Sequence, residues 1–443
     1  MSFRTIGKYR WTICALVFFA TTINYLDRQV MSLLKPMLEA DSMFGLDPAH
    51  QESTYANIVI GFQLGFAAGM VLIGRWIDKI GIKKGYAASL LAWSLAAIGH
   101  AFAYGPFSFG LARVALGIPE AGNYPAANKT IAEWFPQKER ALATGIFISG
   151  TNIGAIIAPI VVPWIAVHMG WKWAFILTGA IGLIWLIFWK IIYDAPANLL
   201  SKGKIQQSEY DYIHADQDRL TSKSVSESQS VPWIQLLQYR QTWAFFFGKF
   251  LTDPVWWFIL FWLPAFLKEQ YGLTGTALSL PIALVYSMTT VGSIFGGWLP
   301  AFFIGRGMDA NKARKRSMFI YALFPLLVLS VQWLGSFNMW YAVCIIGIAA
   351  SAHQAWSANI FTTVSDMFPQ KAIGAVTGIG GMAGAIGGII ISKSAGLLFD
   401  HYKALGDIRI GYGIVFMICA SAYLVAWLIM HLLVPKFKTI ELK

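Results

Sequence analysis

Apolar residues in this chain fall in long unbroken runs, and polar residues gather between them. A soluble core is built instead from alternating or one-in-three apolar patterns. Runs of about 20 residues, enough to cross a bilayer as helix, cover 11–33, 55–76, 86–104, 107–128, 141–165, 172–193, 243–266, 278–303, 317–336, 339–362, 373–398 and 411–434. The pattern predicts an all-α membrane protein with twelve transmembrane helices. The one long polar segment, 194–241, carries Lys202, Lys204, Glu209, Asp211, Asp216, Asp218 and a Ser-rich stretch from Ser222 to Ser230. Nothing in it is expected to bury a core, so it reads as a linker with a turn or two of amphipathic helix. It divides the chain into an N-terminal bundle, 1–193, and a C-terminal bundle, 242–443.

The two bundles repeat each other. WFPQKERALATGI begins at Trp134 and MFPQKAIGAVTGI at Met367, each just after an acidic residue (Glu133, Asp366) and each opening the next predicted span. The copies lie 233 residues apart, and the same shift carries span one onto span seven. Two pseudo-symmetric six-helix bundles of this kind are the layout of transporters that rock two halves about a site at the bilayer midplane.

Composition agrees: 57% of residues are hydrophobic and 13% charged, about half the charged fraction of a soluble domain. The net charge of +12 suggests nucleic acid until its distribution is traced. Arg4, Lys8 and Arg10 precede span one, and Arg75, Lys79, Lys83 and Lys84 follow span two. Arg306, Lys312, Arg314, Lys315 and Arg316 follow span eight, and Lys436, Lys438 and Lys443 follow span twelve. The 35–54 loop is acidic instead, with Glu39, Asp41, Asp47 and Glu52. This is the positive-inside asymmetry. It makes the bilayer the partner rather than nucleic acid, and it is expected to place both termini and the linker in the cytoplasm. Cys14, Cys344 and Cys419 fall within spans, so no disulfide framework is implied. Span one is too long for a signal peptide and is expected to stay in the mature chain.

The loop between spans two and three, Gly74-Arg75-Trp76-Ile77-Asp78-Lys79-Ile80-Gly81-Ile82-Lys83-Lys84, resembles the signature loop of the major facilitator superfamily, with Lys79 and Ile82 in place of the usual basic residues. A weaker counterpart, Gly305-Arg306-Gly307 with Asp309 and Arg314-Lys315-Arg316, follows span eight. Gly74, Asp78, Lys79 and Gly81 are thus candidate gating-loop residues, with Asp78 accepting from a helix N-terminus of the same half. The plain alternative is a solvated charged turn. Within the superfamily the chain resembles the anion:cation symporters, and bacterial hexuronate transporters in particular. INYLDRQVMSLLKP from Ile23, Arg113 with GIPEAGNYPAANK, AEWFPQKERALATG, KFLTDPVWWFILFWLP from Lys249 and AHQAWSAN from Ala352 carry that likeness across both halves. The resemblance implies proton-coupled uptake of a sugar-acid anion by a monomer in the inner membrane. A hexuronate such as galacturonate or glucuronate fits it, with an aldonate such as galactonate or a non-transporting sensor as alternatives.

The candidate chemistry lies in charges at bilayer depth, which cost about 3 kcal/mol each unless paired or facing water. Asp27 and Arg28 sit in span one. Either they serve an ion or substrate path, or they neutralise each other near the end of the span. Arg113 and Glu120 are seven apart on span four, about 10.5 Å of rise, and project from nearly one face. The resemblance gives them the role of a pH-sensitive pair, with Asp27 a second proton-linked acid. Arg28, whose guanidinium fork matches a carboxylate, is the candidate substrate contact. Tyr25 is either a donor to a sugar hydroxyl or a packing residue.

Lys249 and Asp253 on span seven are either a second cation for the anion or a mutual salt bridge, and Pro254 is expected to kink or unwind the helix, freeing carbonyls near the cavity. His353, Gln354, Trp356 and Asn359 on span ten, Asn123 on span four, Asn152 on span five and Tyr286 on span eight are further candidate liners. His353 reads equally as a packing histidine. No phosphate-binding Gly-x-x-x-x-Gly-Lys-Ser/Thr loop occurs, and the His and Cys spacings suggest no enzyme, metal or cofactor.

Overall fold

The computed structural model describes residues 7–41, 48–214, 233–436 and 440. Arg4, Asp47, Asp216, Asp218, the Ser222–Ser230 stretch, Lys438 and Lys443 lie outside them. Among the described residues nine helices are long and apolar enough to cross a membrane. Three more segments complete the twelve: span one (Tyr9–Ala40), span four, in two pieces (Pro106–Glu120 and Asn123–Trp134), and span ten (Met339–Met367). These three hold most of the polar candidates, and those residues dilute their hydropathy. The remaining spans are two (Gln51–Ile80), three (Ile82–Gly99), five (Gln137–Met169), six (Trp171–Ile192), seven (Arg240–Tyr271), eight (Ser279–Gly305), eleven (Gln370–Ala404) and twelve (Ile408–Leu433). Span nine is broken by a 3-10 stretch, running Ala310–Leu323, Phe324–Ser330 and Val331–Phe337.

The repeat is visible in both packing and backbone. Span one packs on five, two on four and three on six; seven packs on eleven, eight on ten and nine on twelve. Pro136 and Pro369, from the two Phe-Pro-Gln-Lys copies, sit at the N-caps of spans five and eleven with nearly equal backbone (φ −63°, ψ 155° and φ −65°, ψ 153°).

Glycine lets these pairs approach closely, as small residues do between membrane helices. A Cβ at Gly65 would come 2.5 Å from the Val114 carbonyl oxygen, and one at Gly69 would come 2.2 Å from that of Ile118. Spans two and four are therefore held in register. Gly384 and Gly387 do the same for span eleven against span seven, meeting Asp253 and the Phe250 carbonyl. Span seven runs through Pro254 as continuous helix, so it is not unwound there. The carbonyl freed by the proline, that of Phe250, faces Gly387 rather than the cavity.

The halves meet where spans one and seven, two and eleven, and five and eight pack together. The polar bonds across this seam gather at the acidic face. Asp400 of span eleven accepts from the Glu52 and Ser53 N–H groups, both at 2.9 Å, so it caps span two from the other half. Lys268 pairs with Glu39, and Lys403 with Glu52 at 3.3 Å. Lys35, fully buried, joins Glu39 and Glu52 at 2.5 and 2.8 Å. The Tyr55 hydroxyl donates to the Phe261 carbonyl (2.8 Å). On the basic face the described ion pairs Asp78–Lys129, Arg10–Glu139 and Arg314–Asp366 each stay within one half.

Part of the linker is anchored, which its composition concealed. Helices Pro196–Ser201 and Gln207–His214 and the turn between them bury Leu199, Ile213 and Ile205. Buried Glu209 accepts from the Arg10 N–H (3.1 Å), and the Tyr212 hydroxyl donates to Glu139 (2.8 Å). Glu139 belongs to the first Phe-Pro-Gln-Lys copy; Ala372 holds its place in the second. The repeat thus diverges where the linker docks. Burial opposes the charge on Asp194, but hydrogen bonds from Asn198, Lys202, Lys83 and the Ala195 N–H hold its carboxyl below the usual range.

Candidate functional site

Spans one and four bring four charges together in the N-terminal half. Asp27, Arg28, Arg113 and Glu120 are all buried. Glu120 takes two bonds through one oxygen, from Arg28 Nε (3.2 Å) and Nη2 (3.1 Å). Its partner is therefore Arg28 of the neighbouring helix, not Arg113 seven residues before it. Arg113 donates from Nη2 to the Arg28 carbonyl (3.3 Å), while its Nε and Nη1 have no hydrogen-bond partner. Both Asp27 oxygens are likewise unpartnered. Their charged neighbours are Glu120 and Arg113, and the nearby Thr178 hydroxyl donates to the Phe175 carbonyl instead.

Asn24, not singled out in the sequence, completes the cluster. It accepts from Arg28 Nη2 (3.2 Å) and donates to the Glu120 backbone carbonyl (3.4 Å). The i, i+4 spacing of Asn24 and Arg28 was the available signal. The helix break at Ala121–Gly122 leaves that carbonyl free. A Cβ at Gly122 would come 2.6 Å from Ile73 and 2.7 Å from Ser89, so the break is packed where spans two, three and four cross.

Aromatic rings wall the arginines. The Arg28 guanidinium lies 4.8 Å from the Tyr25 ring, 5.3 Å from Phe62, 4.8 Å from Phe66 and 5.9 Å from Trp257 of the other half. Arg113 lies 4.8 Å from the same Phe62, which is thereby shared by two cations. Tyr25 contributes a ring face. Phe62 and Phe66 also escaped the sequence reading, since two phenylalanines in an apolar span look like any others.

In the C-terminal half, Lys249 and Asp253 form an ion pair at 2.8 Å. His353 stacks on Trp256 (5.2 Å, 10°), and its Nδ1 is 2.7 Å from the Tyr423 hydroxyl. Tyr286 is buried edge-on to Trp256. Other candidates turn to packing. Asn359 donates to the Gly296 and Ala355 carbonyls, joining spans eight and ten. Trp356 is buried against Tyr423. Asn123 donates to Thr21 and accepts from Tyr86, tying spans one, three and four. Gln354 and Asn152 are half-buried.

In the signature loop, Asp78 takes the Lys129 ammonium of span four, not a helix N-terminus. Asp309 of the second half is the one that caps a helix, accepting from the Asn311 and Lys312 N–H groups. Gly74 is half-buried and its carbonyl accepts from Lys129 (3.3 Å); Lys79 is exposed; Gly81 turns the chain between spans two and three at φ +83°. A cavity of about 280 Å³ between spans eight, nine and ten, lined by Met288, Val291, Phe295, Tyr321 and Ala355 among others, carries no charged side chain and offers an anion nothing.

A twofold-repeated bundle of membrane-crossing helices, with arginines and carboxylates buried in one half against rings of the other, defines a membrane carrier. The sequence pattern of the Major Facilitator Superfamily matches residues 17–392, and the chain belongs to that family. It is 31% identical to the hexuronate transporter of Escherichia coli (strain K12), covering 90% of this chain and 89% of that one. It is 27% identical to the D-galactonate transporter of Escherichia coli O6:H1, covering 89% and 90%, and 30% identical to the galacturonate transporter of Dickeya chrysanthemi, covering 78% and 96%. The fold matches the crystal structure of a D-xylose-proton symporter with TM-score 0.75 at 16% identity, over 98% of this chain and 100% of that one. It also matches the inward-open xylose transporter of E. coli with TM-score 0.74 at 14% identity, over 96% and 97%.

Proposed function

We propose that this transporter takes up a sugar-acid anion together with protons by alternating access, and that the anion is a hexuronate such as galacturonate or glucuronate. The observation that carries this reading is the buried Arg28–Glu120 pair beside unpartnered Asp27 and Arg113. A guanidinium already holding one carboxylate through Nε and Nη2 can exchange it for the carboxylate of a substrate. Glu120 then loses its counter-charge at a buried position, where the charged carboxylate is disfavoured, and is neutralised by a proton. Substrate and proton thereby become linked, which is the thermodynamic requirement for symport. Asp27 supplies the second proton-linked acid.

The basic face is cytoplasmic by its Lys and Arg excess, placing both termini and the linker inside the cell at the inner membrane. The latched acidic face then closes the site on the outer side. The relatives named for hexuronate and galacturonate favour a uronate, and the one named for galactonate keeps an aldonate as the second reading.

The test is uptake of labelled galacturonate into proteoliposomes with and without an inward proton gradient, with glucuronate, galactonate and gluconate as competitors. Gradient-driven accumulation inhibited first by uronates is expected. Uptake indifferent to the gradient, or equal competition by neutral galactose, would overturn the proposal.

A further inference from the structure

Span seven carries Lys249, Asp253 and Trp257 at four-residue spacing, so the three share one face. Trp257 marks where that face reaches the arginine site, its ring 5.9 Å from the Arg28 guanidinium. Asp253 and Lys249 lie about 6 and 12 Å further along the helix toward the basic face. The Lys249 ammonium leans back to Asp253 (2.8 Å) over the Phe361 ring (4.6 Å). The ion pair therefore lies one to two turns of span seven beyond the ring that touches Arg28. Asp253 is seated against Gly384, where a Cβ would come 2.1 Å from its carboxylate oxygen. His353 and Trp256 form a stacked wall on the same half.

The two ends of the site thus differ in charge. At the Arg28 end, an incoming carboxylate finds cations once Glu120 yields. At the span-seven end, the cation is already cancelled by Asp253, whose side chain is 18% exposed where Asp27 is buried. A hydroxyl can donate to Asp253; a second carboxylate meets like charge.

We infer that Asp253 restricts the transported anion to one carboxylate, so that sugar monoacids are carried and six-carbon diacids are refused. This rests on the sugar-acid reading above. The ligand end it concerns is the one remote from Arg28, and Lys249 is the positioning residue that holds Asp253 in place.

Galacturonate and galactarate differ in having one or two carboxylates, and competition of each against labelled galacturonate uptake tests the inference. In the unmodified protein galactarate is expected to inhibit at least tenfold less well. In Asp253→Asn, where Lys249 is released, that ratio should narrow at least tenfold. In the double variant Lys249→Gln with Asp253→Asn, which has no cation at this end, the ratio should return to within threefold of the unmodified protein. Equal inhibition by the two acids in the unmodified protein, or an unchanged ratio in Asp253→Asn, overturns the inference while leaving sugar-acid transport standing. Absence of saturable uptake for any sugar acid overturns the underlying reading instead. The unmodified ratio needs no variant, so misfolding of Asp253→Asn still leaves a decisive result.

Discussion

Arg28 is held by a carboxylate, an asparagine and four aromatic rings at once, and each constrains what can replace it. Lysine keeps the charge but offers a point contact where Glu120 uses a planar fork. Arg28→Lys is therefore expected to lower apparent affinity for the anion by at least tenfold with expression retained, as read by competition binding; affinity equal to the unmodified protein would mean no direct carboxylate contact. Glu120→Gln mimics the protonated acid. It should bind substrate and exchange it across the membrane yet fail to concentrate it, because a site whose proton affinity no longer depends on substrate cannot couple the two. Counterflow with normal rate and absent accumulation is the expected result; accumulation at the normal level would assign coupling to Asp27 alone.

At the scale of helices, the position of every charged side chain depends on backbones in contact. Gly65 meets the Val114 carbonyl oxygen, which belongs to a rigid backbone and not to a flexible side chain. Gly65→Ala should cost about 1–3 kcal/mol by overpacking and displace Arg113 and Glu120 relative to Arg28. A lower melting temperature in detergent together with weakened substrate binding is expected. Gly74→Ala meets only Pro125, at 3.9 Å, and should leave both unchanged. The same logic explains why spans one, four and ten are less apolar than the other nine: their polar residues are paid for by partners on other helices.

Over the whole molecule, two halves are joined at the acidic face by charges that have no reason to stay buried once the halves part. Asp400 supplies two hydrogen bonds to the start of span two, and charge-assisted bonds contribute about 1.5–3 kcal/mol each. Asp400→Ala should shift the population toward the state open at the acidic face by about tenfold for every 1.4 kcal/mol lost. Ala56, buried at that seam against Gly396, provides the reporter. Labelling of Ala56→Cys by a membrane-impermeant thiol reagent should be several-fold faster in the Asp400→Ala background, and an unchanged rate would show that Asp400 does not latch the halves. On the proposed symport, lowering the pH on the side of the acidic face should also strengthen uptake; the pH dependence of initial rate in proteoliposomes checks it.

The sequence by itself determined the twelve spans, the charge asymmetry between the two faces, the repeat and the unusual charges at bilayer depth, because length, hydropathy and Lys/Arg bias act along the chain and need no partner. It also offered a Lys249–Asp253 salt bridge as one of two readings, since i, i+4 spacing on one helix allows that contact. It did not reveal that Glu120 belongs to Arg28, 92 residues away, or that Phe62 lies against both arginines. Nor did it show that Lys35, Glu39, Glu52, Lys268, Lys403 and Asp400 close one face. Helical periodicity states which side of a helix a residue occupies. The rotation and depth of one helix against another come from contacts such as Gly65 with Val114 and Gly69 with Ile118, and those exist only once the tertiary structure has formed.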